Sequence, residues 1–117
     1  MTEQKDSGDQ DWQVGLSDAL SRLPGPNAER YAAVFKHGTL LVEIYAPQAI
    51  DPQQPHDRDE VYIVMRGNGE FVSATERRKF KPGDFLFVPA GVPHRFENFS
   101  TDFAVWVVFY GPEGGEG

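Results

Sequence analysis

The chain has 117 residues, no cysteine and a formal net charge of −7 at pH 7. Its length fits one domain, and the lack of cysteine excludes disulfides and thiolate metal sites. The acidic balance argues against a nucleic-acid partner, which needs a basic face, and against an anionic membrane surface. No apolar run is long enough to span a membrane, and the N-terminus lacks a signal-peptide apolar segment. A cytoplasmic location is therefore the default expectation.

Residues 1–30 form an N-terminal extension. Its first eleven residues are polar and predicted to be disordered. Leu16, Leu20 and Leu23 then follow the i, i+4, i+7 spacing of a short helix, which Pro24 ends.

From residue 31 onward the pattern changes to short strands separated by turn residues. Asn68-Gly69 suits a tight hairpin, and Lys81-Pro82-Gly83-Asp84 suits a type II turn. The last strand is apolar at nearly every position, so both of its faces should be covered. The predicted strands are YAAVF, TLLVEIYA, EVYIVMR, EFVSAT, RRKFK, FLFVP, HRFENF and FAVWVVFY. Residues 31–110 are thus predicted to be an all-β sandwich or small barrel, followed by a flexible tail at 111–117.

Residues 83–98 read GDFLFVPAGVPHRFEN and carry a spaced motif. Its skeleton is Gly83-x5-Pro89-x-Gly91-x2-His94-x3-Asn98. This resembles the second motif of the cupin superfamily, with every fixed position present.

The first cupin motif, G-x5-H-x-H-x3,4-E-x6-G, is matched upstream with two departures. His56, Glu60 and Gly67 fall on its later positions. Gln54 stands where the first histidine usually is, and Gln48 stands where the first glycine usually is. Together with the strand pattern, the resemblance covers roughly residues 31–110.

The resemblance implies a jelly-roll β-barrel, a double-stranded β-helix, with a metal held by Gln54, His56, Glu60 and His94. The residues support this independently. Side chains alternate between the two faces of a strand, so Glu60 and Tyr62 lie on the same face. A carboxylate on a face that lines the barrel is costly unless it is protonated, hydrogen-bonded or bound to a metal. Two imidazoles and one carboxylate suit one divalent ion of Fe, Mn, Ni or Zn.

The remaining candidates each have two interpretations. Gln54 is either a fourth ligand through its amide oxygen or a hydrogen-bonding neighbour of the site. Tyr62, Phe96 and Trp106 are candidates for the pocket wall, and plain core positions are the alternative. His37, in a His-Gly turn, is expected to be a surface residue.

The sequence therefore predicts a small metal-binding cupin that holds a small polar molecule on a divalent metal. An oxygenase or isomerase would suit such a site. A non-catalytic metal-binding, ligand-binding or sensor module is the alternative, so catalysis itself stays open. A third possibility is a protein that keeps the cupin fold without a functional site and uses its surface for self-association. A homodimer is expected, because TLLVEIYA and FAVWVVFY carry more apolar positions than one barrel interior holds.

Overall fold

A computed structural model describes residues 10–117 of the chain. One short helix, α1 (Leu16–Leu20), precedes eight strands, so the all-β prediction with a short N-terminal helix is confirmed. The strands are β1 (Tyr31–His37), β2 (Leu40–Tyr45), β3 (Asp59–Arg66), β4 (Gly69–Ser73), β5 (Glu76–Phe80), β6 (Phe85–Val88), β7 (His94–Glu97) and β8 (Ala104–Tyr110).

The strands form two antiparallel sheets. The larger has the order β1-β2-β8-β3-β6, and the smaller has the order β5-β4-β7. The chain changes sheet between β3 and β4, between β5 and β6, between β6 and β7, and between β7 and β8. These crossings between two facing sheets are the connections of a jelly roll.

The main core lies between the two sheets and is rich in aromatic side chains. Alternation along β8 turns Val105, Val107 and Phe109 inward. Tyr62 of β3 meets Phe96 of β7 edge-on, with ring centroids 4.9 Å apart. Aromatic rings from both sheets thus fill the space beside the metal-ligand candidates.

A second cluster covers the outer face of the larger sheet. Ala19 of α1 packs against Val34 and Ile44, with Trp106 at the edge of the group. This packing explains why β2 and β8 are apolar on both faces, as predicted for β8. It also weakens the argument for the predicted homodimer, since part of the surplus apolar surface is covered within the chain. The homodimer itself stays a prediction.

The predicted hairpin at Asn68-Gly69 is wrong. β3 and β4 belong to different sheets and do not pair, and the positive φ of +84° lies at Gly67 instead. A side chain there would place its Cβ 2.7 Å from the Phe103 Cα, so glycine permits close packing where the chain crosses between sheets.

The predicted type II turn at 81–84 is confirmed. Gly83 has a φ of +93°, and the Asp84 N–H donates to the Lys81 carbonyl at 3.2 Å.

Both termini of the described chain make contacts. The predicted disorder of residues 1–9 lies outside the described residues, but Gln10 accepts a hydrogen bond from the Lys36 N–H at 2.8 Å. In the tail predicted to be flexible, Gly114 N–H donates to the Asp57 carbonyl at 2.6 Å. Glu116 N–H donates to the Asp59 carboxylate at 2.8 Å. Between residues 10 and 117, no helix combines the length and the apolar character needed to cross a membrane.

Candidate metal centre

Three metal-ligating side chains meet between the two sheets. His56 lies in the loop before β3, Glu60 is the second residue of β3, and His94 is the first residue of β7. One ligand atom from each lies within 4.8 Å of the others. The larger sheet therefore supplies the carboxylate, and the smaller sheet supplies one imidazole.

Glu60 is the most constrained member of the group. It is 1% exposed, and its Oε1 lies 3.0 Å from His94 Nε2 and 3.9 Å from His56 Nε2. Its Oε2 is buried and has no hydrogen-bond partner among the described residues. A buried carboxylate oxygen without a partner is costly and rare in folded proteins. A divalent cation would satisfy it, so the residues present fit a metal.

The hydrogen bonds of His94 identify its metal-facing nitrogen. Nδ1 lies 2.9 Å from the Val92 carbonyl, which can only accept, so Nδ1 carries the proton and Nε2 faces the site. Burial lowers the pKa of His94, but hydrogen bonds to Glu60 and to the Val92 carbonyl outweigh it, and the pKa is raised overall. With a metal bound, Nε2 would be the ligand nitrogen, and the hydrogen bond from Nδ1 to the Val92 carbonyl holds the ring in this orientation.

Tyr62 brings a hydroxyl to the same point. Its oxygen lies 3.0 Å from His94 Nε2, and it donates to the Gln53 Oε1 at 2.7 Å. Burial and the nearby Glu60 charge raise the pKa of Tyr62 well above its ordinary value, so the hydroxyl keeps its proton. Tyr62 is itself fully buried, so its place in the wall of the pocket stays a prediction.

Asp51 and Gln53 are the residues that sequence reasoning missed. The Asp51 carboxylate accepts hydrogen bonds from the Gln53 side-chain amide at 2.7 Å and from the Phe96 N–H at 2.8 Å. It also accepts one from the Tyr45 hydroxyl. The adjacent Gln53-Gln54 pair carries no signal that shows which side chain turns inward.

Gln54 is exposed and lines the mouth of the cavity beside His56. Its role as a ligand stays a prediction. His37 is exposed, as expected for a surface residue.

The other two pocket candidates lie elsewhere. Phe96 is fully buried and packs against Tyr62 and Phe71, so it supports the site without lining the cavity. Trp106 lies in the outer cluster with Ile44 and Val34. The reason is the alternation along β8, which turns residue 106 outward when Val105 and Val107 turn inward.

A cavity of about 650 Å³ opens beside His56. Its wall combines apolar side chains from β2 and β8 with charged ones. The charged members are Glu29, Arg30, Glu43, Asp57 and Arg58. This volume is within the range of small-molecule sites.

Two arginines of the cavity wall are held by backbone carbonyls. Arg30 Nε donates to Ala46 at 2.9 Å, and Arg58 donates to Thr39 while its guanidinium lies 6.0 Å from the Phe109 ring centre. Each guanidinium has five N–H donors, so others remain for a bound molecule.

Two imidazoles and a carboxylate enclosed by a jelly roll form a candidate metal centre. The Cupin domain family model matches residues 41–110. A protein of Streptomyces coelicolor is 36% identical over 98 residues, which cover 82% of this chain and 93% of that protein. The chain therefore belongs to the cupin family.

Two further comparisons show a likeness in fold and a partial likeness in sequence. A Cupin 2 conserved barrel domain protein from Salinispora arenicola has the same fold, with a TM-score of 0.61 and 23% identity. The match covers 73% of this chain and 77% of that structure. Acireductone dioxygenase 1 of Pectobacterium atrosepticum is 36% identical over 67 residues, covering 53% of this chain and 39% of the enzyme.

Proposed function

We propose that the protein binds one divalent transition metal through His56, Glu60 and His94 and holds a small polar molecule on it for catalysis. The observation that carries the proposal is the buried, unpartnered Oε2 of Glu60 beside two imidazole nitrogens. Nitrogen and carboxylate donors of this kind suit Fe, Mn, Ni or Zn.

The cavity supports a small polar ligand. His56 lines it, with 35% of its side chain exposed, so a molecule in the cavity has access to the metal position. Arg30 and Arg58 offer guanidinium N–H donors, which bind carboxylate or phosphate oxygens well. A ligand with an anionic group and a metal-binding oxygen fits this distribution.

The protein's side chains have distinct parts in the proposed reaction. A metal bound here would supply Lewis-acid or oxygen-activating chemistry. Tyr62 offers a protonated hydroxyl beside His94 Nε2, and the aromatic core behind it keeps water away. Glu43 lies in the cavity wall, where burial and then the Glu60 charge raise the pKa of its carboxyl. This places a carboxyl with a raised pKa where it can exchange a proton or a hydrogen bond with the bound molecule.

The sequence similarity to part of a dioxygenase supports an oxygen-dependent reaction. A cytoplasmic location and a homodimer belong to the same proposal.

Metal analysis and turnover test the proposal in sequence. Protein purified without added metal should contain, or take up, about one divalent ion per chain. A His56→Ala, His94→Ala double variant should lose it, while the exposed His37→Ala variant serves as the matched control. Full metal occupancy in the double variant would contradict the proposed metal centre.

The metal-loaded protein should then consume O₂ or convert a carboxylate- or hydroxyl-bearing carbonyl compound in a panel of such compounds. Tight binding of panel members without any turnover would identify a non-catalytic binding module instead.

A further inference from the structure

We propose that Gln53, rather than its neighbour Gln54, supplies a fourth protein donor to the metal through its side-chain oxygen. The inference rests on the proposed metal centre and adds a ligand to it. The sequence motif favours position 54, so the structure and the motif make different predictions.

The first support is the orientation of the Gln53 amide. Its Nε2 donates to Asp51 Oδ2 at 2.7 Å, and a carboxylate oxygen can only accept there, which fixes the identity of the two amide atoms. Oε1 must therefore be the atom that faces Tyr62, where the hydroxyl donates to it at 2.7 Å. An amide oxygen has two lone pairs, so one remains for a cation.

The second support is the spacing of the donor atoms. A metal about 2.1 Å from each ligand places neighbouring donors about 3.0 Å apart in an octahedral site and about 3.4 Å apart in a tetrahedral one. Gln53 Oε1 lies 3.4 Å from His56 Nε2, and Glu60 Oε1 lies 3.0 Å from His94 Nε2. The distance between Gln53 Oε1 and His56 Nε2 is thus the spacing expected of two donors to one ion.

The third support is the rigidity of the segment that carries Gln53. The Gln53 N–H donates to Asp51 Oδ1 at 3.2 Å. Asp51 Oδ2 in turn accepts a hydrogen bond from the Phe96 N–H of the smaller sheet at 2.8 Å. The donor oxygen is therefore positioned before a metal arrives. Gln54, in contrast, is exposed at the cavity mouth.

Neighbouring leucine variants provide the test. Gln53→Leu and Gln54→Leu remove the same amide from adjacent positions at nearly constant volume. Calorimetry with Co(II) at fixed pH should show Gln53→Leu binding about 10- to 100-fold more weakly than wild type, with Gln54→Leu unchanged within about 2-fold. The Co(II) absorption spectrum should change in the first variant only.

The role of Gln53 can be judged separately from the existence of the metal centre. Wild type that binds no Co(II) would contradict the proposed function. Wild type that binds, with Gln53→Leu binding equally well, would overturn the role of Gln53, and so would a loss confined to Gln54→Leu.

If Gln53→Leu does not fold, a crystal structure of metal-loaded wild type decides. Gln53 Oε1 should then lie about 2.0–2.3 Å from the ion, and a distance beyond hydrogen-bonding range would reject the inference.

Discussion

Replacing Asp51 with alanine should destabilise the protein strongly, because one carboxylate satisfies buried donors from both sheets. The Phe96 N–H donates to it at 2.8 Å, and so does the Tyr45 hydroxyl. Phe96 is 1% exposed and Tyr45 is 7% exposed, so water cannot readily replace the lost acceptor. Each buried donor left without a partner costs about 1–3 kcal/mol, which gives a loss of about 2–6 kcal/mol in the free energy of unfolding.

Urea denaturation of the metal-free protein, followed by tryptophan fluorescence, measures this loss. Asp102→Ala is the matched control. Among the described residues, the exposed Asp102 accepts a side-chain hydrogen bond from the Ser100 hydroxyl alone, at 2.7 Å, so its loss should change the free energy of unfolding by less than about 0.5 kcal/mol. A domain of this kind is stable by about 5–15 kcal/mol, so Asp51→Asn should be measured in parallel in case the alanine variant does not fold. Losses below about 1 kcal/mol in both Asp51 variants would refute the reasoning.

Three further predictions follow from the site and the surface. The raised pKa of Glu43 means that the folded protein holds this proton more tightly than the unfolded chain. The stabilisation of the folded protein that protonated Glu43 contributes is therefore fully present below the ordinary pKa of 4.5. It is lost as the pH rises through the pKa that Glu43 has in the folded protein. In urea titrations with a chelator from acid to neutral pH, Glu43→Gln should lack this decline, and parallel curves for the two proteins would contradict it. Metal affinity measured by calorimetry should fall as the pH falls, because a histidine ligand must be deprotonated to bind and the pKa of His94 is raised. Affinity that stays constant from neutral pH down to a pH of about 5 would argue against histidine ligands. The exposed Phe85 and Phe87 of β6 leave apolar surface for a dimer contact. Light scattering at micromolar concentration should therefore give a dimer mass, and a monomer mass would contradict the prediction.

The sequence predicted the strands well because their signals are local. Alternation, β-branched and aromatic residues, and turn residues recur at short intervals between residues 31 and 110, and all eight predicted strands are present. The spaced glycine, proline and histidine residues of the second motif then identified the family.

The errors arose where a contact distant in sequence decides the local structure. The turn at Asn68-Gly69 looks like a hairpin, but the chain there changes sheet and packs against Phe103. Trp106 had two interpretations, pocket wall and core, because an aromatic strand does not show which face turns inward. The N-terminal segment settles this, since it covers the face that carries Trp106.

The candidate metal centre was predictable only in part, because motif spacing identifies some of its residues and contacts distant in sequence position the others. His56, Glu60 and His94 are fixed by motif spacing, and the structure brings them together. Gln53 was missed because its position depends on Asp51, whose partners Tyr45 and Phe96 lie on strands of different sheets. No local pattern connects these residues.

The most direct test of the metal centre is a crystal structure of the metal-loaded protein with anomalous scattering recorded at the absorption edge of the bound metal. The account predicts one peak per chain, about 2.0–2.3 Å from His56 Nε2, His94 Nε2 and a Glu60 carboxylate oxygen. A peak located elsewhere, or no peak between these three side chains in protein that carries one equivalent of metal, would contradict it.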